Sequence, residues 1–425
     1  MPIFRSAVMG GTNETMTEAV TTLEQWRAWR SEGFNTLPLL RRVHLKPGED
    51  RPAEWSGAWA AAYPHAIVLE SGKDGRYTYL GLRPSAVLRG KGSEAVATET
   101  GEAAGEAVIG NAAVIGQAAI GAAVNRGAEA IRGAGTTGQK DSPPTRRFTG
   151  KPLDVVRAWI TGRRGPSLPD GPKWTGGIAG LFAYDIVRSI ERLPELAADD
   201  LGLPDYLFLK LDELWIIDHE ARELILSCHV EVPDGTDDSG LASLHEEALR
   251  HTARMREIWN GIVEAARAPE AELRLAGRRK AMEADRLEID IDALEGLIRP
   301  FSKQAYMDAV ERIRDYIAQG DVFQVNLSQR MSKVSAADPD ALYEWLRLFN
   351  PSPYMGYLRC PDFRLVSASP ELLVAMRGGV LSTRPIAGTR RRGRTPEEDR
   401  RMAEELLASE KERAEHIMLV DLERN

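Results

Sequence analysis

The chain has 425 residues, of which 43% are hydrophobic and 28% charged, which is ordinary for a soluble protein with one large domain or two. Its net charge of −8 argues against a nucleic-acid partner, because such partners require a basic surface. The two cysteines, Cys228 and Cys360, lack metal-like spacing, which favours free thiols in a reducing compartment. The N-terminus lacks the apolar segment of a secretory signal, so a cytoplasmic location is expected.

Strands and an insertion are predicted in the first part of the chain. Short apolar runs separated by glycine-containing turns at 67–92 predict a hairpin or meander of antiparallel strands. Residues 93–150 are rich in Ala and Gly, which predicts a mobile or partly helical surface insertion. Its uncharged stretch 107–124 is long enough for a membrane span, but Asn111, Gln117 and many small residues make it a poor one. No membrane association is therefore expected.

The middle of the chain alternates between predicted helix and strand. Residues 152–160 predict a helix, and closely spaced glycines at 174–185 predict buried strands that pass tightly against neighbours. Residues 207–226 predict two strands around a polar turn at 218–220, and the Glu-, Arg- and Ala-rich sequence that follows predicts helix. The predicted organisation is an N-terminal domain at 20–235, a helical connector at 236–298 and a second domain at 299–425.

The second domain begins with clear helix signals. Ser302 can cap a helix with one apolar stripe, which Gly320 ends. Period-two alternation at 322–330 then predicts a strand with Gln324 on its polar face. Further strands at 365–368, 372–376 and 380–384 are expected, and the last two would form a hairpin.

The most distinctive stretch is 383–425, which joins a turn rich in hydrogen-bond donors at 385–390 to a helix capped by Thr395. Glu412, Glu415 and His416 share one face of this helix. The two acids suit Mg²⁺, which takes one or two protein carboxylates, but the same spacing fits a solvated, salt-bridged face. His416 taken alone fits either a catalytic group or an ordinary helix histidine.

Two nearby features are equally open. The arginines at 390–394 fit a small-anion site or a solvated loop. Glu371, which follows Ser369 and Pro370, fits the end of a strand inside a cleft or the start of the next strand.

Five segments, GDVFQVNLSQR, NPSPYMGYL, SASPELLV, TRPIAGTRRRG and KERAEHIMLVDLERN, occur in this order between residues 301 and 425. Together they resemble the chorismate-binding enzyme family, and LESGKDGRYTYLGLRP and GGIAGLFAYD resemble the N-terminal region of its aminating members. The resemblance implies an α+β fold, a large sandwich of two antiparallel β-sheets flanked by helices. In the family a further metal-ligating Glu, a catalytic His and a Gly-rich segment follow, so the chain is expected to be C-terminally truncated and nearly inactive.

The resemblance also implies the site residues. The catalytic residues would be Glu371, Glu412, His416 and Gln324, the substrate-binding residues Ala387, Gly388 and Thr389, and the Mg²⁺ ligands Glu415 and Glu412. The metal would hold the carboxylate of chorismate and draw charge from the ring, which helps the ring hydroxyl to leave.

The position of Gln324 implies the nucleophile. Members that add water carry a lysine base there, and glutamine cannot take a proton, so ammonia from a separate glutamine amidotransferase subunit is implied. The resemblance implies 4-amino-4-deoxychorismate, a precursor of p-aminobenzoate and folate, as the product, because Asn326 and the RYTYLG segment resemble the members that form it. Ala387 favours the alternative, anthranilate plus pyruvate in the tryptophan pathway. A third hypothesis is an inactive fragment that only binds chorismate or tryptophan.

Two segments resemble the family's tryptophan pocket, which implies tryptophan as a further ligand. The alternative interpretation is a proline-rich turn that packs on a strand. The pocket residues would be Leu69, Glu70, Ser71, Asn350, Pro351, Pro353, Tyr354 and Met355.

Overall fold

The computed structural model describes residues 21–72, 75–100, 144–168, 171–284, 291 and 293–425. The helices within these residues are α1 (Leu23–Ser31), α2 (Ser56–Ala61), α3 (Pro152–Ile160), α4 (Asp238–Ala266), α5 (Pro269–Glu283), α6 (Lys303–Gln319), α7 (Pro339–Phe349), α8 (Pro396–Ala408) and α9 (Glu410–Arg424). The strands are β1 (Thr36–His44), β2 (Ala66–Glu70), β3 (Tyr77–Gly81), β4 (Ala86–Lys91), β5 (Glu94–Glu99), β6 (Thr145–Thr149), β7 (Gly177–Phe182), β8 (Tyr206–Leu211), β9 (Glu213–Asp218), β10 (Glu223–Glu231), β11 (Tyr354–Arg359), β12 (Arg364–Ser369), β13 (Leu372–Arg377) and β14 (Val380–Arg384).

Two antiparallel sheets pack face to face. The first has the strand order β1-β10-β9-β3-β2-β11-β12, and the second has the order β6-β5-β4-β8-β7. Leu40 and Ile216 of the first sheet and Leu207 and Leu209 of the second belong to one buried apolar cluster. Because side chains alternate between the faces of a strand, this leaves a second apolar face on the larger sheet.

Helices cover the outer faces. Trp259 of α4, Trp59 of α2 and Tyr343 of α7 are buried in one cluster with Trp215 of β9. On the smaller sheet, Val155 and Val156 of α3 pack against Leu88 and Phe208. The predicted α+β sandwich of two antiparallel sheets with flanking helices is therefore confirmed.

The larger sheet joins segments that are far apart in sequence. Strand β11 pairs with β2, with Met355 opposite Glu70, and β12 pairs with β11 at the sheet edge. The predicted boundary at 299 stays a prediction, but hydrogen bonding of one sheet crosses it.

Several predicted elements form with the expected limits. Helix α3 occupies the predicted residues, Ser302 caps α6 through its side chain, and Gly320 ends that helix at φ +81°. The hairpin of β13 and β14 turns at Gly378 and Gly379, as the sequence predicts.

Three predictions were wrong in detail. The ends of the predicted insertion at 93–150 are strands β5 and β6, which pair with each other, while 101–143 lie outside the described residues. The segment 174–185 is not buried, because β7 is an edge strand; its Gly180 is nevertheless required, since a Cβ there would lie 1.9 Å from the Leu207 carbonyl oxygen. Residues 206–231 form three strands, because the chain reverses at Asp212 as well as at the predicted turn.

Among the described residues, no helix has both the length and the apolar character that crossing a bilayer requires. The stretch 107–124 lies outside them.

Candidate active site

The turn after β14 approaches the last two helices closely. Gly388 has φ +82°, and a Cβ added to it would lie 2.9 Å from Glu412 Oε2 and 2.9 Å from Leu406 Cδ1. Both the positive φ and the lack of space favour glycine at this position. The turn that contains Ala387, Gly388 and Thr389 is therefore held against α8 and α9.

The long helix expected after Thr395 is two helices. Thr395 caps α8, since its side chain accepts a hydrogen bond from the Glu398 backbone N–H, but that helix ends at Ala408. Ser409 has an extended backbone with ψ 116°, and its hydroxyl accepts from the Glu412 N–H to cap α9. Neither Pro nor Gly marks this break. Its effect is to place Glu412 in the first turn of a new helix, where the helix dipole favours a carboxylate.

Glu412 and Glu415 lie side by side on α9, and nitrogen donors surround both carboxylates. Arg390 Nη1 is 3.2 Å from Glu412 Oε1, and Lys411 Nζ is 2.6 Å from Glu415 Oε2 and 3.6 Å from Glu412 Oε2. The Gln324 side-chain amide donates to Glu415 Oε1 at 3.0 Å. The two acids are half-buried, with side chains 14% and 22% exposed, so these contacts are partly shielded from water.

The acids raise the pKa values of the two neighbouring cationic side chains. The pKa of Lys411 is raised, mainly by its hydrogen bond to Glu415. The pKa of Arg390 is raised by its hydrogen bonds to Glu412 and Glu405. Arg390 thereby joins α8 to α9 at the end of the turn at 385–390.

Gln324 reaches this cluster from a segment whose predicted structure was wrong. The segment 322–330 is not a strand, and Phe323 is 90% exposed. Alternation alone cannot form a strand, which needs a hydrogen-bonded neighbour. The only pairing recorded nearby within the described residues is the isolated bridge between Ile298 and Ser332.

Two of the expected catalytic residues make no side-chain hydrogen bond to either acid within the residues that the structure describes. Glu371 is exposed between β12 and β13, and its backbone N–H donates to the Ser369 hydroxyl at 3.3 Å. His416 is exposed on α9, and within the described part of the chain it makes no recorded hydrogen bond. Their catalytic roles remain predictions.

The number of carboxylates in the Glu412 and Glu415 pair fits a magnesium ion. Mg²⁺ is usually held by one or two protein carboxylates, while water and an anionic substrate complete its six positions. Among the described residues no group of three or more acidic, His or Cys side chains could hold a metal alone. The pair therefore suits an ion whose remaining ligands come from water and a substrate, and not a closed structural site.

The residues expected to form a tryptophan pocket partly come together. Glu70, Ser71 and Met355 line a cavity of about 250 Å³, beside Arg347 and His219. The Gly72 N–H donates to the Ser352 carbonyl at 2.8 Å, which fixes the proline-rich turn beside β2. The binding of tryptophan itself stays a prediction.

Three interacting residues were missed from the sequence. Arg347 lies 2.9 Å from Glu70 and 2.7 Å from Glu344, and the Tyr343 hydroxyl donates to Glu70 at 2.6 Å. The only signal was their spacing, because residues 343, 344 and 347 lie on one face of a helix. In the sequence, Lys411 has no signal beyond its place in the charged helix that carries Glu412 and Glu415.

Most of the chain is similar in sequence to known proteins. The model of the family described as chorismate binding enzyme matches residues 124–425. Aminodeoxychorismate synthase component 1 of Bacillus subtilis (strain 168) is 36% identical over 366 residues, covering 86% of this chain and 63% of that protein. Anthranilate synthase component 1 of Thermus thermophilus is 46% identical over 257 residues, covering 60% of this chain and 49% of that protein.

Among solved structures, anthranilate synthase component I from Streptococcus pneumoniae TIGR4 is similar, with a TM-score of 0.49 at 23% identity over 83% of this chain and 61% of that one. The chain spans between 49% and 63% of the lengths of the two curated relatives above. Gln324, the turn at 385–390 and both acids of α9 lie within the family match, which covers well over half of the sequence. The chain therefore belongs to the chorismate binding enzyme family.

Proposed function

We propose that the protein aminates chorismate with ammonia to give 4-amino-4-deoxychorismate. The observation that carries the proposal is the hydrogen bond from the Gln324 amide to Glu415, at 3.0 Å. It brings the segment at 322–330 to the carboxylates of α9, although 91 residues separate the two side chains.

Gln324 supports ammonia over water as the nucleophile. A carboxamide has no basic nitrogen, so it cannot remove a proton from water as a lysine amine can. Ammonia needs no such activation before it attacks. A donor amide at this place can instead orient Glu415, whose Oε1 it contacts.

Substrate and metal would meet at the turn and the acids. Chorismate would bind along Ala387, Gly388 and Thr389, in a turn that the close contact of Gly388 with Glu412 and Leu406 holds beside the two acids. Glu412 and Glu415 would hold Mg²⁺, which, when bound, neutralises the substrate carboxylate and withdraws charge from the ring. Arg390 would keep Glu412 in place through its second contact with Glu405, at 3.0 Å.

The ammonia would come from a separate glutamine amidotransferase subunit. Hydrolysis of glutamine commonly requires an activated nucleophile such as a cysteine thiolate. The chain has two cysteines, both buried, and burial raises the pKa of Cys228 and of Cys360 to about 12. Neither thiol is therefore suited to that step.

Two observations compete with this choice of product. Ala387 provides no amine that could attack the ring. The Thermus relative, an anthranilate synthase component, has a higher sequence identity to this chain than the Bacillus relative, although over a shorter part of the chain. Formation of anthranilate and pyruvate is therefore the second candidate function. Asn326 and the coverage of the Bacillus relative favour the first.

Incubation of the complete protein with chorismate, Mg²⁺ and ammonium, followed by mass spectrometry of the products, tests the proposal. We expect 4-amino-4-deoxychorismate, whereas anthranilate with pyruvate would identify the second function. Magnesium-dependent binding of chorismate in a calorimeter with no turnover would indicate the third possibility, a protein that only binds.

A pair of variants tests the role of Gln324. Gln324→Lys should abolish amination, because it places a cation beside Glu415 and replaces the donor amide. Gln329→Lys is the matched control in the same segment, where the native amide contacts the Phe301 carbonyl and not an acid. Equal amination by both variants would refute the role.

A further inference from the structure

We propose that Lys411 acts as an internal counterion for Glu412 and Glu415, and that a divalent ion binds to this pair by displacing the lysine. The inference rests on the metal role of the two carboxylates in the proposed function. In addition, a side chain of the protein itself competes with the divalent ion for these carboxylates.

The geometry around the acids carries the inference. Lys411 Nζ contacts one oxygen of each carboxylate, at 2.6 Å from Glu415 Oε2 and 3.6 Å from Glu412 Oε2. The other oxygens are taken by Gln324 and by Arg390, at 3.0 and 3.2 Å. Glu412 and Glu415 would hold a divalent ion, since carboxylate oxygens are the ligands that Mg²⁺ prefers, and the Lys411 ammonium already contacts an oxygen of each.

The two basic residues at the site are held differently. Arg390 is bound by Glu405, Glu412 and its neighbouring carbonyl, that of Thr389, and its side chain is 27% exposed. The side chain of Lys411 is 73% exposed and ends in a single ammonium on a flexible chain. Lys411 can therefore leave for solvent at little cost, while Arg390 stays.

The exchange has a direct consequence for metal affinity. Before the ion arrives, the lysine offsets part of the negative charge of two acids that are three residues apart and would otherwise repel each other. On binding, the ion must replace these contacts. Loss of the lysine should therefore strengthen the binding of a divalent ion. Without the lysine and before the ion binds, the two acids would be less well ordered.

Calorimetric titration of the chain with MgCl₂, repeated with MnCl₂, tests this without any catalysis. We expect Lys411→Met to lower the dissociation constant roughly two- to five-fold, the range expected for removal of an exposed ion pair. The matched control is Arg413→Met, which removes an equal charge from an exposed position on the same helix. It should change the constant less than about 1.5-fold, because within the described residues Arg413 forms no ion pair with either acid and its exposed charge is screened. Circular dichroism of both variants verifies the fold.

A third variant separates the two possible failures. Glu415→Gln should abolish binding of both ions. If it binds as the wild type does, these carboxylates hold no metal, and both the proposed metal site and the lysine exchange are refuted. If it fails to bind, but Lys411→Met and Arg413→Met bind equally, the metal site stands and the lysine exchange is refuted.

Discussion

The buried ion cluster beside the predicted tryptophan pocket allows a quantitative prediction. Arg347 lies between Glu70 at 2.9 Å and Glu344 at 2.7 Å, and the three side chains are 16%, 10% and 7% exposed. Glu344 also accepts a hydrogen bond from the Trp55 N–H at 2.7 Å. Arg347→Met would keep much of the side-chain volume but leave two buried carboxylates without their cation.

The cost should be large. Removal of one partner from a buried ion pair typically costs about 3–5 kcal/mol, because the remaining charge stays buried and unpaired. Burial already raises the pKa of Glu344, with Arg347 acting in the opposite direction. Without the arginine this pKa rises further, so the carboxyl is more stable in its protonated form. The variant should therefore lose less stability at pH 5 than at pH 8.

Urea denaturation followed by tryptophan fluorescence, at pH 5 and pH 8, measures both effects. Arg314→Met is the control, because Arg314 also pairs with a glutamate three residues earlier, Glu311, but both side chains are about 70% exposed. That exposed pair should contribute less than about 0.5 kcal/mol. A cost below about 1 kcal/mol for Arg347→Met, or an equal cost at both pH values, would refute the reasoning.

Three further predictions concern other parts of the chain. Gly388→Ala forces a side chain to φ +82° against Glu412, and strain of about 1–3 kcal/mol should make the free turn relax. Restoring the turn on binding should then weaken chorismate affinity about 5- to 150-fold in calorimetry; unchanged affinity would contradict the role of the turn. Burial lowers the pKa of His229 from 6.5 to about 4, so the unfolded chain binds more protons between these values and stability should fall as pH drops through that window. His229→Gln should make this fall in melting temperature shallower, and an identical profile would be evidence against it. Trp26→Phe removes the indole donor to the Pro38 carbonyl in a fully buried place and should cost about 1–3 kcal/mol in urea denaturation, whereas a cost near zero would indicate that the carbonyl finds another donor.

Local signals predicted the helices and hairpins well. Ser302 and Gly320 limit α6 as a cap and a stop should, and the glycines at 378 and 379 turn the last hairpin. Each of these signals acts within a few residues, so the signal lies next to the helix end or turn that it causes and can be recognised in the sequence. The break at Ser409 was missed because its cap has no accompanying Pro or Gly.

Contacts between distant segments could not be predicted from periodicity. The alternation at 322–330 resembles that of a strand, yet the described residues offer it no neighbour. The pairing of β11 with β2 likewise has no local signal. Gln324 was associated with Glu415 only through the family resemblance, since spacing alone left the acids of α9 equally consistent with a solvated face.

The position of β11 beside β2 also sets the order in which the sheet can be completed during synthesis. Glu70 leaves the ribosome long before Met355, its partner in the register. Until then the apolar strand β2, whose residues Ala66, Ile67 and Val68 are buried in the finished sheet, has one unpaired edge. Such an edge readily pairs with other chains, so nascent protein should depend on chaperones until residues 354–359 emerge.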